Sequence, residues 1–230
     1  MMKVALVGLL VLAGLGGSAA ARQQPRLMDP NEILFSISTL SDDAAPTAPL
    51  KGKASATDVT FHEDDWRQIE FFPASREQEI RQELMALAAF ERSQRAPGGG
   101  WKKVYVRELP ARPVVAGAAA LGTLAKDLGV AVQPGPVINQ GPDRVIGRVA
   151  HGFSLAVGRG VALYGFSDAS GVPVLGAHVE EGAEEDALTK AFVKLNAKHQ
   201  LILVDWRAHL LVSGMARNGS LVTWRPDRGQ

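Results

Sequence analysis

Val161-Ala162-Leu163-Tyr164-Gly165-Phe166-Ser167 and Val172-Pro173-Val174-Leu175-Gly176-Ala177-His178-Val179, set either side of Asp168-Ala169-Ser170-Gly171, read as two strands joined by a tight turn. Behind them the acidic run Glu184-Glu185-Asp186 suits the positive end of a helix dipole. Leu188, Phe192, Leu195 and His199 then recur on one helical face. Leu201-Ile202-Leu203-Val204 follows as an apolar run fit for a buried strand, and Leu221 to Trp224 as a last strand. The order is hairpin, helix, strand.

Working outward, the same order is readable earlier. Asp58 to Phe61 and Trp66 to Phe72 read as strands around the turn His62-Glu63-Asp64-Asp65. Ser75 and Gln78 have capping-box spacing, and Ile80, Leu84, Leu87 and Ala88 share one face of a helix that reaches about Arg95. Pro97-Gly98-Gly99-Gly100 breaks it, and Trp101 to Leu109 returns as a strand. The expectation is an α+β protein of two hairpin-helix-strand units, residues 57–112 and 113–230, with mainly antiparallel sheet and a weak internal repeat. The boundary falls at Pro110-Ala111-Arg112-Pro113, and Asp-Trp-Arg occurs in both units, at Asp65-Trp66-Arg67 and Asp205-Trp206-Arg207. Between the two patterns, Val114 to Leu128 reads as a close-packing helix ending at Gly129, followed by short strands over Arg144 to Val149 and Phe153 to Val157.

Residues 22–56 read as a loosely ordered N-terminal segment, in which Ile33, Leu34, Phe35, Ile37 and Leu40 fit a helix and a strand equally well, and Ser41 to Asp58, with little to bury, reads as a linker. Residues 1–21 have the layout of a cleavable signal peptide: Lys3, an apolar run from Val4 to Ala13, then small residues with Ala19 and Ala21 at the cleavage spacing. The expected mature chain begins at Arg22, is exported to the periplasm or the extracellular space, and retains no integral membrane segment after cleavage. It has no cysteine, so its stability must come from its core without disulfides.

Of 25 basic and 24 acidic residues only Lys3 precedes Arg22, so the remainder is formally neutral and carries no nucleic-acid footprint. Cysteine chemistry is excluded, and neither a Gly-x-Ser-x-Gly elbow nor a phosphate-binding Gly-x-x-x-x-Gly-Lys loop occurs. No cofactor and no metal is expected. Gly158-Arg159-Gly160 precedes a strand and reads as a turn, as does Asn218-Gly219.

The densest polar cluster is His62, Glu63, Asp64 and Asp65, next to Trp66, and these five are the candidate binding residues. Exposed carboxylates on a turn held by a sheet suit recognition of a basic partner. Trp66 and Trp206 lie in strand patterns and are expected to be buried. His199 is expected on the apolar stripe of the helix or at its C-terminal end, His209 within an apolar strand run, and His151 in a turn. The expected function is non-enzymatic binding of a protein or envelope component. The alternative is an exported hydrolase whose site gathers His62, Asp64, Asp65, His178 and Glu180 from separate parts of the chain.

Overall fold

Side-chain alternation along the strands sorts the core into layers. In the computed structural model, which describes residues 34–226 except Pro142, the described chain forms one unit from Leu34 onward. The signal-peptide reading and the start at Arg22 lie outside the described residues.

The elements run β1 (Thr39–Ser41), β2 (Thr47–Ala48), β3 (Thr60–His62), β4 (Ile69–Pro73), α1 (Glu77–Gln94), β5 (Tyr105–Arg107) and β6 (Val115–Ala116). They continue as α2 (Ala120–Leu128), β7 (Gln133–Pro134), β8 (Val137–Asn139), β9 (Val145–Val149), β10 (Gly152–Gly158), β11 (Val161–Asp168) and β12 (Gly171–Val179). The last are α3 (Ala187–His199), β13 (Leu201–Asp205), β14 (Leu210–Met215) and β15 (Leu221–Trp224). This is a mixed α+β fold with mainly antiparallel sheet.

The main sheet has the order β15-β14-β13-β4-β12-β11-β10-β7, with β6 also on β12, and every pairing in it is antiparallel. Phe71, Leu155, Leu163, Leu175, Leu201 and Leu203 point to one face, where α2 and α3 cover them with Leu124, Phe192 and Leu195. Their sequence neighbours Phe72, Ile202 and Val204 point to the other face and meet Ile80, Leu84 and Leu87 of α1. Farther along that face, Tyr164 and Val174 pack with Phe61, Trp66, Ile138 and Val149. Those partners belong to or adjoin the second sheet, β2-β9-β8-β3.

The expected first hairpin does not form. β3 pairs in parallel with β8, whereas β4 pairs with β13 and β12. Glu63 to Asp65 make a single 3-10 turn that carries the chain onward instead of reversing it, and Arg67 then adopts a left-handed φ of 59°. β4 buries both Phe71 and Phe72, one on each face of a sheet covered on both sides, and it pairs along its edges with β12 and β13 of the expected second unit. The two units are therefore interleaved in one sheet, and no repeat is visible in it. The twin Asp-Trp-Arg triplets have a tertiary meaning instead: Asp65 Oδ1 pairs with Arg207 at 2.7 Å, and the Trp206 amide donates to the Gln68 carbonyl at 3.0 Å.

Other local expectations differ in detail. The α1 N-terminus carries no side-chain cap, since Ser75 lies in a 3-10 turn before it. The helix expected from Val114 begins only at Ala120, after β6 and the left-handed Gly117, and ends as expected at a left-handed Gly129. His209 is in the turn before β14, at a left-handed φ of 50°, and not within the strand.

Candidate functional site

On the α1 side of the sheet the two apolar clusters are separated by charge. Glu70 occupies the inward position of β4 between Ile69 and Phe71, and its side chain is 3% exposed. Its Oε1 accepts from Trp206 Nε1 at 2.9 Å and its Oε2 from Arg67 Nε at 2.7 Å. Arg107, fully buried, lies 3.8 Å from Glu70 Oε1, stacks over the Trp206 ring at 4.8 Å, and donates to the Arg67 carbonyl at 2.7 Å. Burial opposes the Arg67 charge, but Glu70 and Asp43 outweigh it and hold its pKa above the ordinary value. Burial dominates at Arg107 and pushes it down to about 10. Tyr164 Oη accepts the Arg67 amide at 2.8 Å, and burial pushes its phenol well up. Gly176 makes room for that ring: a Cβ there would stand 2.6 Å from Tyr164 Cζ.

This ionic seam clamps the stretch 36–48. Arg107 Nη1 donates to Thr39 Oγ1 at 2.9 Å, Gln68 Nε2 to the Thr39 carbonyl at 3.0 Å, and Arg67 Nη1 to Asp43 at 3.2 Å. β1 pairs in parallel with β5, and β2 pairs with β9. The stretch expected as a linker from Ser41 thus begins as a strap laid across the body, its path fixed by buried side chains of other elements.

Between the strap and the 3-10 turn lies a pocket of about 450 Å³. Asp42 and Asp43 reach it from the strap and Glu63 and Asp64 from the turn, while Trp66, Ile138 and Ile146 supply apolar lining. Trp66 is 4% exposed, and its Nε1 donor is buried with no partner. Desolvation raises the Asp64 carboxyl above its ordinary pKa, against the pull of His62. Asp43 is shared with Arg67, and Glu63 Oε1 accepts from Gln140 Nε2 at 2.6 Å. Asp42 pairs with no cation among the described residues, and the Asp64 carboxylate lies 3.4 Å from His62 Nδ1. An excess of negative charge over an apolar lining is suited to an aliphatic cation.

The five candidate residues do not act as one group. Glu63, Asp64 and Trp66 line the pocket. His62 turns its Nδ1 back to accept the Asp64 amide at 3.1 Å, and Asp65 is held by Arg207. Asp42 and Asp43, which complete the pocket, were hidden in a stretch with no local pattern. His178 stacks on Phe61 at 4.9 Å, and burial lowers its pKa against Asp65 and Glu180. Neither His62 nor His178 lines this pocket. Among the described residues no three His, Asp or Glu side chains gather closely enough to hold a metal ion. His199 ends α3 as expected and meets Asp127 of α2 at 2.9 Å, and His151 occupies a turn at φ 53°.

A second cavity, of about 750 Å³, is lined by Ser36 to Ser38 of the strap, the end of α1, and the turns flanking β14 and β15. Four arginines border it, Arg92, Arg95, Arg207 and Arg225. Arg207 also donates to the Asp64 carbonyl at 3.1 Å, so one arginine of this cavity is tied to the 3-10 turn that lines the other. No protein-family model, no curated protein and no solved structure matches the chain. No helix among the described residues is long and apolar enough to cross a membrane.

Proposed function

We propose that this is an exported, non-enzymatic binding protein that takes a lysine- or arginine-bearing segment of a protein or envelope partner into the acidic pocket. The observation that carries the reading is the meeting of Asp42, Asp43, Glu63 and Asp64 around the apolar lining of Trp66, Ile138 and Ile146. The carboxylates would receive the cationic head, and the apolar lining the methylene stem that such side chains bury. The unpartnered Trp66 Nε1 would satisfy a carbonyl of the bound segment. Export rests on the signal-like residues 1–21.

The test uses an oligolysine peptide as probe, with association rate followed against ionic strength. Asp42→Asn with Asp64→Asn is expected to slow association about 3- to 10-fold at low salt and to flatten its salt dependence. A double variant with an unchanged rate and salt slope overturns the reading.

A further inference from the structure

We infer that the larger cavity is a separate anion site whose ligand carries a phosphate ester. Its construction begins in α1. Ile80, Leu84 and Leu87 form the helix's buried stripe, the same spacing continued by one more turn brings Glu91, with Arg92 beside it, and Arg95 follows as the extended residue that caps the helix. The stripe turns from apolar to charged where α1 passes from the core to the cavity.

The helix dipole by itself accounts for cations at Arg92 and Arg95. It does not account for Arg207 and Arg225, which come to the same cavity from just past the C-terminal ends of β13 and β15. Among the described residues Arg92, Arg95 and Arg225 form no ion pair. Arg225 donates to the Ala208 carbonyl at 2.8 Å, which fixes the guanidinium without neutralising it. Arg95 lies over the Trp101 ring at 6.0 Å. The carboxylate in the lining, Glu91, faces His209 at 3.2 Å, and its pKa is lowered although burial opposes this, because His209, Ser38 and the Arg95 charge lie beside it. Trp101 Nε1 is a buried donor without a partner.

Three guanidinium groups that form no ion pair among the described residues, a fourth shared with Asp65 and an indole N–H without a partner among them all ask for acceptor oxygens. A phosphate ester supplies up to two charges and three acceptor oxygens in the geometry that arginine forks recognise. The acidic pocket has the opposite sign, so this site stands or falls apart from it.

The probes are inorganic phosphate, titrated at constant ionic strength against chloride, and vesicles of phosphatidylcholine with or without phosphatidic acid. Wild-type protein is expected to gain a phosphate-specific rise in Tm, or to sediment with the phosphatidic acid vesicles alone. Solution binding places the ester on a soluble ligand, and vesicle binding alone places it on a lipid. Arg92→Gln with Arg95→Gln is expected to weaken the response at least tenfold, and Arg92→Lys with Arg95→Lys to recover part of it. Arg81→Gln, which removes one charge from the same helix outside the cavity, is expected to leave it unchanged. The site is refuted if phosphate acts no differently from chloride and the vesicles bind equally or not at all. It is equally refuted if the Arg92/Arg95 double glutamine variant responds like wild type.

Discussion

The two faces of the main sheet are made from alternate residues of the same strands, yet they differ in kind. Beneath α2 and α3 the contact is one apolar cluster, running from Phe71 through Phe192 to Val212. On the opposite face the apolar contact is divided in two, and Arg67, Glu70 and Arg107 lie buried along the strap. Both cavities described above open on this second side, each bordered by part of the strap. One face stabilises the sheet by dry packing. The other gives up continuous packing for buried ions that hold an irregular segment in one path. Non-local hydrogen bonds can specify such a path where a two- or three-residue strand cannot.

The largest effect expected from this comparison is at Glu70. Glu70→Ala strips Arg67, Arg107 and the Trp206 indole of their shared acceptor, and should cost about 3–5 kcal/mol in a denaturant melt. Leu195→Ala on the dry face should cost about 2–5 kcal/mol, from lost apolar burial and the cavity left behind. The two differ in hydrogen exchange: Glu70→Ala should deprotect amides of the strap, while Leu195→Ala should leave them as protected as global stability allows. A Glu70→Ala protein within 1 kcal/mol of wild type would mean that the buried ions do not hold the strap.

A smaller pair of effects concerns left-handed residues. Gln200 follows α3 at φ 54° with an exposed side chain, so Gln200→Gly relieves backbone strain and should stabilise by about 0.5–1 kcal/mol. Arg67 has nearly the same φ, but Arg67→Gly also removes the guanidinium from Glu70 and should destabilise. Thermal melts of the two variants check the opposite signs. Two stabilising results would show the strain at Arg67 to be as incidental as that at Gln200.

The smallest effect is at Asp64 and depends on pH. Its folded pKa is raised above the ordinary carboxylate value, so the native state binds its proton more tightly than the unfolded chain does. Stability therefore falls as pH rises from about 3.8 through the folded value, and the penalty is complete at neutral pH. Asp64→Asn should raise Tm by about 1 °C or more at pH 7 and by nothing below pH 3.5. Asp58 runs the other way: Arg148 lowers its pKa, and its contribution is present above about 3.8 and lost on acidification through the folded value. An Asp64→Asn gain that persists at pH 3 would separate it from ionisation.

Periodicity alone determined the α1 and α3 helices, the β11–β12 hairpin and the buried β13, because each carries its own apolar repeat within a dozen residues. Size and apolar surroundings also determined that Trp66 and Trp206 are buried, although neither lies in the strand expected for it: Trp66 follows the 3-10 turn and Trp206 the end of β13. The sheet order was beyond the reach of periodicity. Nothing in Ile69 to Phe72 says which strands will flank it, because strand partners are chosen by the total apolar surface buried and not by any local signal. The candidate site divides in the same way. Glu63, Asp64 and Trp66 stood out because they are adjacent in the chain, whereas Asp42 and Asp43 lie in a stretch of Ala, Pro and Ser without a repeat. Their place is set from outside, by Arg67 and Arg107 reaching across from the sheet and from β5. A segment with too little apolar surface to fold itself takes its conformation from the buried charges of the rest of the protein, and only the tertiary structure contains that information.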